Sequence, residues 1–318
     1  MERQLSPAAL CSRILDEVHT VIQGADQSLR LIVTALFCGG HILLEDLPGT
    51  GKTTLAKSLA AITGFSFNRI QCTPDLMPAD ITGFETIVSN ESSAYQTVFR
   101  KGPVFTNLLL ADEINRMAPR TQSGLLECMA EQQVTYNGRQ YALPDPFFVI
   151  ATQNPIELQG TFPLPEAQLD RFFMRIRMGH PSREAETEIL RSRRLQDPID
   201  SLRIITSPEQ ILQIRRAVRN VKISDAVLSY LLDLSDATRS HPQVRYGLST
   251  RAALALQSAS QCYAAISGRD YVTPDDLKAV FPAVCAHRIR LTGSILSDSE
   301  SADRFAADLL NSVEVPKT

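Results

Sequence analysis

The residues most capable of chemistry lie in the first sixth of the chain, in the run Leu47-Pro48-Gly49-Thr50-Gly51-Lys52-Thr53. Two closely spaced glycines let backbone N–H groups curl around an anion. A helical pattern follows, and a helix N-terminus adds partial positive charge at that spot. Lys52 can reach phosphate oxygens, and the Thr53 hydroxyl can coordinate a divalent cation. The spacing is that of a phosphate-binding loop, G-x-x-x-x-G-K-[ST], except that Asp46 stands where the first glycine is usual. That position opens the loop and lies farther from the phosphates than Gly51, so binding is expected to survive the change. The candidate phosphate contacts are Pro48, Gly49, Thr50, Gly51, Lys52, Thr53 and Thr54.

A second signal is Leu108-Leu109-Leu110-Ala111-Asp112-Glu113. An apolar run ending in two acids fits a buried strand that delivers carboxylates to its C-terminal edge, where open α/β sheets bind ligands. Asp112 is placed to hold Mg²⁺ through its water shell. Glu113 is placed to orient and deprotonate an attacking water, a general-base role worth about 10²–10⁴-fold.

These residues need a sheet to hold them. Strands are expected at His41–Glu45, Phe67–Gln71, Leu108–Ala111, Phe147–Thr152 and Phe173–Met178. Several are near-continuous apolar runs, as in a parallel sheet covered on both faces. Helical stretches between them indicate a doubly wound α/β domain. After about residue 180 helix signals take over. Ser207-Pro208-Glu209-Gln210 and Thr273-Pro274-Asp275-Asp276 both read as helix starts, and Gly268 as the stop of a helix that begins near Ser249. The last third therefore reads as an all-α bundle. Residues 82–105 form an insertion rich in Gly, Ser and Asn. Asn137-Gly138, flanked by strand formers, predicts a hairpin over about 133–142.

Composition narrows the function classes. The 318 residues are 44% apolar and 21% charged, which excludes wholesale disorder. A net charge of −3 lacks the basic signature of a general nucleic-acid binder. The six cysteines form no C-x-x-C pair and read as buried thiols in a reducing compartment. The five histidines are dispersed, so no zinc site is expected. The apolar run Leu31 to Cys38 is far short of the roughly 18 residues of a membrane span, and Met1-Glu2-Arg3-Gln4 lacks a signal-peptide layout. The expectation is a cytoplasmic protein.

Taken together, the motifs resemble those of AAA+ ATPases, and within that superfamily the MoxR group. Leu44-Glu45-Asp46-Leu47-Pro48-Gly49-Thr50-Gly51-Lys52-Thr53 is similar to the group's variant loop, Asp included. Arg69-Ile70-Gln71-Cys72-Thr73-Pro74-Asp75-Leu76 with Asp80-Ile81-Thr82-Gly83, and Ala111-Asp112-Glu113-Ile114-Asn115-Arg116, are group hallmarks. Ala151-Thr152-Gln153-Asn154-Pro155 and Leu164-Pro165-Glu166-Ala167-Gln168-Leu169-Asp170-Arg171-Phe172 complete the set.

The resemblance implies an αβα P-loop core with a parallel five-stranded sheet over residues 1–180. A linker over 181–206 and a smaller all-α lid over 207–318 would follow. It further implies ATP and Mg²⁺, with Thr53 and Asp112 as the metal's contacts. Asn154 would be the sensor-1 residue, hydrogen-bonding the γ-phosphate or the attacking water. Arg171 would be an arginine finger projecting into a neighbouring subunit. Arg251, in Gly247-Leu248-Ser249-Thr250-Arg251-Ala252, would be sensor 2, reaching the γ-phosphate of its own subunit. Ile22, within Val21-Ile22-Gln23-Gly24, would contact the adenine. The 82–105 insertion and the 133–142 hairpin would grip a client. The protein would work as a homo-oligomeric ring, six subunits being the family's expectation, on a protein client that often carries a von Willebrand factor A domain.

Two other functions compete. A nucleic-acid motor would line its pore with Lys and Arg, and the insertions offer only Arg100, Lys101 and Arg139. A slowly hydrolysing, nucleotide-dependent assembly scaffold is the other, against which every catalytic residue is in place.

Overall fold

The computed structural model describes residues 6–45, 49–89, 95–154, 160–192, 198–293 and 299–316. The chain opens with two helices, α1 (Pro7–Val18) and α2 (Asp26–Cys38). Ser6 caps α1 by accepting from Ala9 N–H at 3.2 Å, and Leu10, Cys11, Ile14 and Val18 form its buried face. Then come β1 (Ile42–Glu45), α3 (Lys52–Thr63), β2 (Phe67–Gln71) and α4 (Pro78–Thr82). The insertion folds as β3 (Gly83–Ser89) and β4 (Tyr95–Lys101), followed by β5 (Leu108–Asp112) and α5 (Pro119–Glu131). The Asn-Gly hairpin is β6 (Gln133–Tyr136) and β7 (Arg139–Ala142). Asn137 and Gly138 both have positive φ, at 47° and 76°, as a two-residue hairpin turn demands. β8 (Phe148–Gln153), α6 (Glu166–Leu169) and β9 (Met174–Ile176) close the α/β part.

β2, β5, β8, β1 and β9, in that spatial order, form a five-stranded sheet, and every pairing in it is parallel. Alternate residues of these strands enter different cores, as the pleat requires. Ile42, Leu44, Leu108, Leu110, Phe148 and Ile150 pack with α1, α2 and α3. Leu43, Leu109, Ala111, Val149 and Ala151 face the opposite way, onto α4 and α5.

The remaining helices are α7 (Arg183–Ser192), α8 (Pro208–Val218), α9 (Asp225–Ser240), α10 (Thr250–Ile266), α11 (Pro274–Cys285) and α12 (Ser299–Ser312). The expected caps are present. Ser207 and Gln210 form a reciprocal capping box on α8, and Ser249 caps α10. Between these helices lies a feature the helical pattern hid, a two-stranded antiparallel ribbon of β10 (Val244–Tyr246) and β11 (Arg290–Leu291). No helix among the described residues is long and apolar enough to cross a membrane. Of the six free cysteines, Cys38 is half-buried and the other five are buried.

Two polar devices fix the sheet. At its lower edge, buried His41 donates from Nε2 to Met129 O at 3.0 Å and accepts Val149 N–H on Nδ1 at 3.0 Å. One ring thus ties α5 to β8. At the upper edge, buried Glu45 pairs with Arg175 at 3.5 Å and Arg177 at 2.9 Å, and both arginines also hold Asp303 of α12. The end of β1, just before the phosphate loop, is thereby tied to β9 and to the last helix.

His41 carries a pH consequence. Burial lowers its pKa from 6.5 to about 4, so the folded protein keeps it neutral where the unfolded chain protonates it. The unfolded state binds more protons between those values, so stability falls as pH drops from 6.5 toward 4. His287, also buried, is shifted in the same direction by burial and by Arg288 and Arg175. Urea unfolding at pH 7 and pH 4.5 should show His41 alone costing about 2–3 kcal/mol at the lower pH. His41→Asn, which cannot titrate there, should flatten that slope while lowering stability at pH 7.

Candidate functional site

Because the sheet is parallel, the C-terminal ends of β1, β2, β5 and β8 open on one edge. A cavity of about 420 Å³ lies there, lined by Gly49, Gly51, Lys52, Thr53 and Thr54 together with Arg69, Gln71, Asp112, Glu113, Thr152 and Asn154. Gly51 sits at φ 82°, a left-handed conformation that starts α3 abruptly and leaves its first-turn N–H groups at the cavity. A smaller cavity of about 110 Å³ shares Gly49 and Gly51 with the first, and Val21, Ile22, Gly24, Met178 and Ile189 contribute to its mostly apolar wall. A polar chamber beside an apolar one suits a nucleoside phosphate, with Lys52 available to the charged end and Ile22 to the ring.

The two acids are not loose. Thr152, buried in the neighbouring strand, accepts Glu113 N–H on its hydroxyl at 2.8 Å and donates to Asp112 Oδ1 at 2.7 Å. Arg69 holds Asp112 Oδ2 at 2.6 Å and the Gln71 side-chain oxygen at 2.6 Å. Glu113 Oε2 receives Gln71 Nε2 at 3.3 Å and Arg116 Nε at 3.0 Å. Glu113 itself has φ 60°, an uncommon conformation for a non-glycine residue and of the kind that collects at functional sites. Cys72 lies beneath the acids. Burial and the two carboxylates push its thiol up to about 12, so it stays protonated and is no nucleophile. The oxygen donors suit Mg²⁺: a threonine hydroxyl and a carboxylate in one open cavity with space for water.

Thus Gly49, Thr50, Gly51, Lys52, Thr53, Thr54, Asp112, Glu113 and Asn154 lie together around one pair of cavities, and Ile22 lies in the smaller one. Pro48, with Asp46 and Leu47, lies outside the described residues. Arg171 and Arg251 line neither cavity. Arg171 is exposed, and its side chain makes no ion pair or hydrogen bond among the described residues. Arg251 stands 3.7 Å from Asp170, the residue before Arg171. α11 and the turn after it lie against β9 and the Asp170 segment, and α10 packs on α11, which brings the start of α10 to that side. Arg69, Gln71, Arg116 and Thr152 lie within the sequence motifs, which assign them no role at the site. The register pairing Gln71 with Asp112 and Ala111 with Ala151 puts three of these beside the acids, and Arg116 follows in the turn after β5.

Comparison with known proteins agrees with this geometry. The sequence pattern of the ATPase family associated with various cellular activities (AAA) matches residues 41–174, and that of the AAA lid domain matches residues 236–309. The Bacillus subtilis protein YeaC is 41% identical over 96% of this chain and 95% of its own. The Mycobacterium tuberculosis protein called chaperone MoxR1 is 39% identical over 96% of this chain and 82% of its own. The crystal structure of a proposed ATPase from Cytophaga hutchinsonii superimposes with a TM-score of 0.87 at 36% identity, covering 99% of this chain and 98% of that one. The fold is that of an AAA+ ATPase, an α/β core followed by a helical lid. Within that class the chain belongs to the MoxR family.

Thr152 gives a direct test of the site's internal support. Thr152→Val keeps the shape but leaves the Glu113 N–H without its partner. Urea denaturation should then show a loss of about 1–3 kcal/mol, and Thr152→Ser should recover most of it.

Proposed function

We propose that this protein hydrolyses ATP in a Mg²⁺-dependent reaction and uses the cycle to remodel a protein client. One observation carries the reading: a single cavity gathers Lys52, Thr53, Asp112, Glu113 and Asn154, while exposed Arg171 stands outside it. Lys52 and the first-turn N–H groups of α3 hold the phosphates. Mg²⁺ held by Thr53 and, through water, by Asp112 would offset charge on the phosphate oxygens. Glu113 orients and deprotonates the attacking water, giving up a present contact with Gln71 or Arg116 to do so. The Asn154 amide holds that water or the terminal phosphate.

Arg171 completes the site of a neighbouring subunit in a ring, six being the family's number. Such fingers are worth about 10³–10⁵-fold in rate. Arg251, beside it through Asp170, belongs to the same interface in this reading. We take residues 1–180 as the core, 181–206 as linker and 207–318 as lid, in a cytoplasmic protein.

The client surface is the β3–β4 hairpin. Phe84, Ile87, Val88, Tyr95 and Val98 are exposed on it. Phe99 stacks on Tyr141 of the second hairpin at 4.1 Å, and Asn137 donates to Glu85 at 2.9 Å. An apolar, paired platform suits a protein client, including one with a von Willebrand factor A domain, better than a phosphate backbone. Arg100, Lys101 and Arg139 are too few for the latter.

The test is ATP turnover against protein concentration, with light scattering for mass. Specific activity should rise as rings form. Lys52→Ala should lose tight ATP binding, and Glu113→Gln should bind ATP and stall. Arg171→Ala should bind ATP yet lose turnover, and mixing it with Lys52→Ala subunits should restore part of it. Normal hydrolysis by Glu113→Gln would remove the general-base assignment, and failure of exchanging subunits to complement would remove the trans finger.

A further inference from the structure

The segment Asp170–Phe173, between α6 and β9, presents Arg171 at the surface, and an unusual device holds it. Arg288, in the turn after α11, is a lid residue whose side chain is 4% exposed. Its Nε donates to Asp170 Oδ1 at 2.8 Å. Its Nη2 donates to Asp170 O at 3.3 Å and Phe172 O at 2.7 Å. Its Nη1 donates to Phe173 O at 3.2 Å and to Val284 O. All five N–H groups of the guanidinium are therefore used, four of the bonds on one short segment. His287 donates a further bond to Phe172 O at 3.0 Å, and Arg290 holds Glu166 of α6 at 2.9 Å.

Burying a guanidinium costs several kcal/mol unless every charge and donor is met. Here the charge is met by the Asp170 carboxylate and the donors by Val284 O and the carbonyls on both sides of Arg171, while the Arg171 side chain is left in solvent. Phe172, fully buried, anchors the segment in the sheet's second core. A planar fork on the carbonyls of residues 170, 172 and 173 fixes the peptide planes that aim the residue between them. The other oxygen of Asp170 faces Arg251. Both exposed cations thus take their place from a segment clamped by the lid.

We infer that Arg288 is a positioning residue for the arginine finger: by locking the backbone of residues 170–173 to the lid, it sets the direction in which Arg171 leaves the subunit and so controls hydrolysis at the neighbouring subunit's nucleotide. The inference rests on the reading of Arg171 as a finger that acts in trans. It makes the lid of one subunit and the finger it presents a single mechanical piece. A displaced finger loses rate steeply, since misplacement by about 1 Å costs on the order of 10²-fold.

The experiment uses Arg288→Lys in the full-length protein, alone and combined with Arg171→Ala. Turnover at saturating ATP and the dissociation constant of a fluorescent ATP analogue are both measured. Lysine keeps the charge but loses the fork. We expect turnover to fall about 10–100-fold with nucleotide affinity within about twofold, and no further fall when Arg171 is already Ala. Mixing Arg288→Lys with Lys52→Ala subunits should recover activity, because the first keeps an intact cavity and the second an intact finger.

An equal additional loss in the Arg171→Ala background, a loss of nucleotide affinity in step with rate, or undiminished turnover of a folded Arg288→Lys protein overturns the inference alone. Undiminished turnover of Arg171→Ala overturns the finger reading and the inference with it. If Arg288→Lys does not fold, Asp170→Asn, which weakens one of the five bonds, is put through the same pair of backgrounds. The same non-additivity is expected and the same results overturn it.

Discussion

Two adjacent carboxylates at the end of a buried strand are the constraint on which the rest of the structure depends. Asp112 and Glu113 sit where β5 leaves the sheet, and acids in such a place need charge and hydrogen bonds brought to them. Each neighbouring strand contributes. β2 supplies Arg69 and Gln71, β8 supplies Thr152, and the turn after β5 supplies Arg116. The strand order places β8 between β5 and β1, so the acids and the phosphate loop face each other across one strand. A ligand bringing phosphates and a divalent cation would enter a cavity whose carboxylates are already paired, and must displace some of these contacts to be activated.

The second dependence runs through arginines that do no chemistry. Arg175 and Arg177 join Glu45, at the root of the phosphate loop, to the last helix. Arg288 joins the turn after α11 to the segment around Arg171. Both ends of the α/β core are thereby tied to the lid. A single apolar cluster also runs from α1 and α2 through the sheet into α8–α11. Lid and core are not beads on a string here.

Legibility in the sequence followed the range of the physics. The central strands β1, β5 and β8 were readable because burial on both faces leaves mostly apolar residues along them. The helix starts at Ser207 and Ser249 and the Asn137-Gly138 turn were readable because caps and tight turns are decided by neighbours within four residues. The β3–β4 hairpin was less so. Its alternating faces both carry exposed apolar residues, so no inside-outside pattern marks it, and its narrow base shows in Gly83 and Gly102, where an added Cβ would meet Arg100 O at 2.2 Å and Ile81 O at 2.3 Å. The ribbon of β10 and β11 escaped notice because its strands are short and distant in sequence.

The sequence by itself determined the chemistry available: a glycine-rich loop with Lys52 and Thr53, two acids after an apolar strand, and the family whose motifs these resemble. Those are local patterns, and local sterics and hydrogen bonding suffice to specify them. Tertiary structure decided which groups meet. That Thr152 bonds the Asp112 carboxylate and the Glu113 backbone, that Arg69 and Gln71 flank the acids, and that Arg251 joins Asp170 depend on strand register and on how the lid packs. Contacts between residues far apart in the chain arise only when the whole hydrophobic core closes, and no short stretch of sequence holds that information.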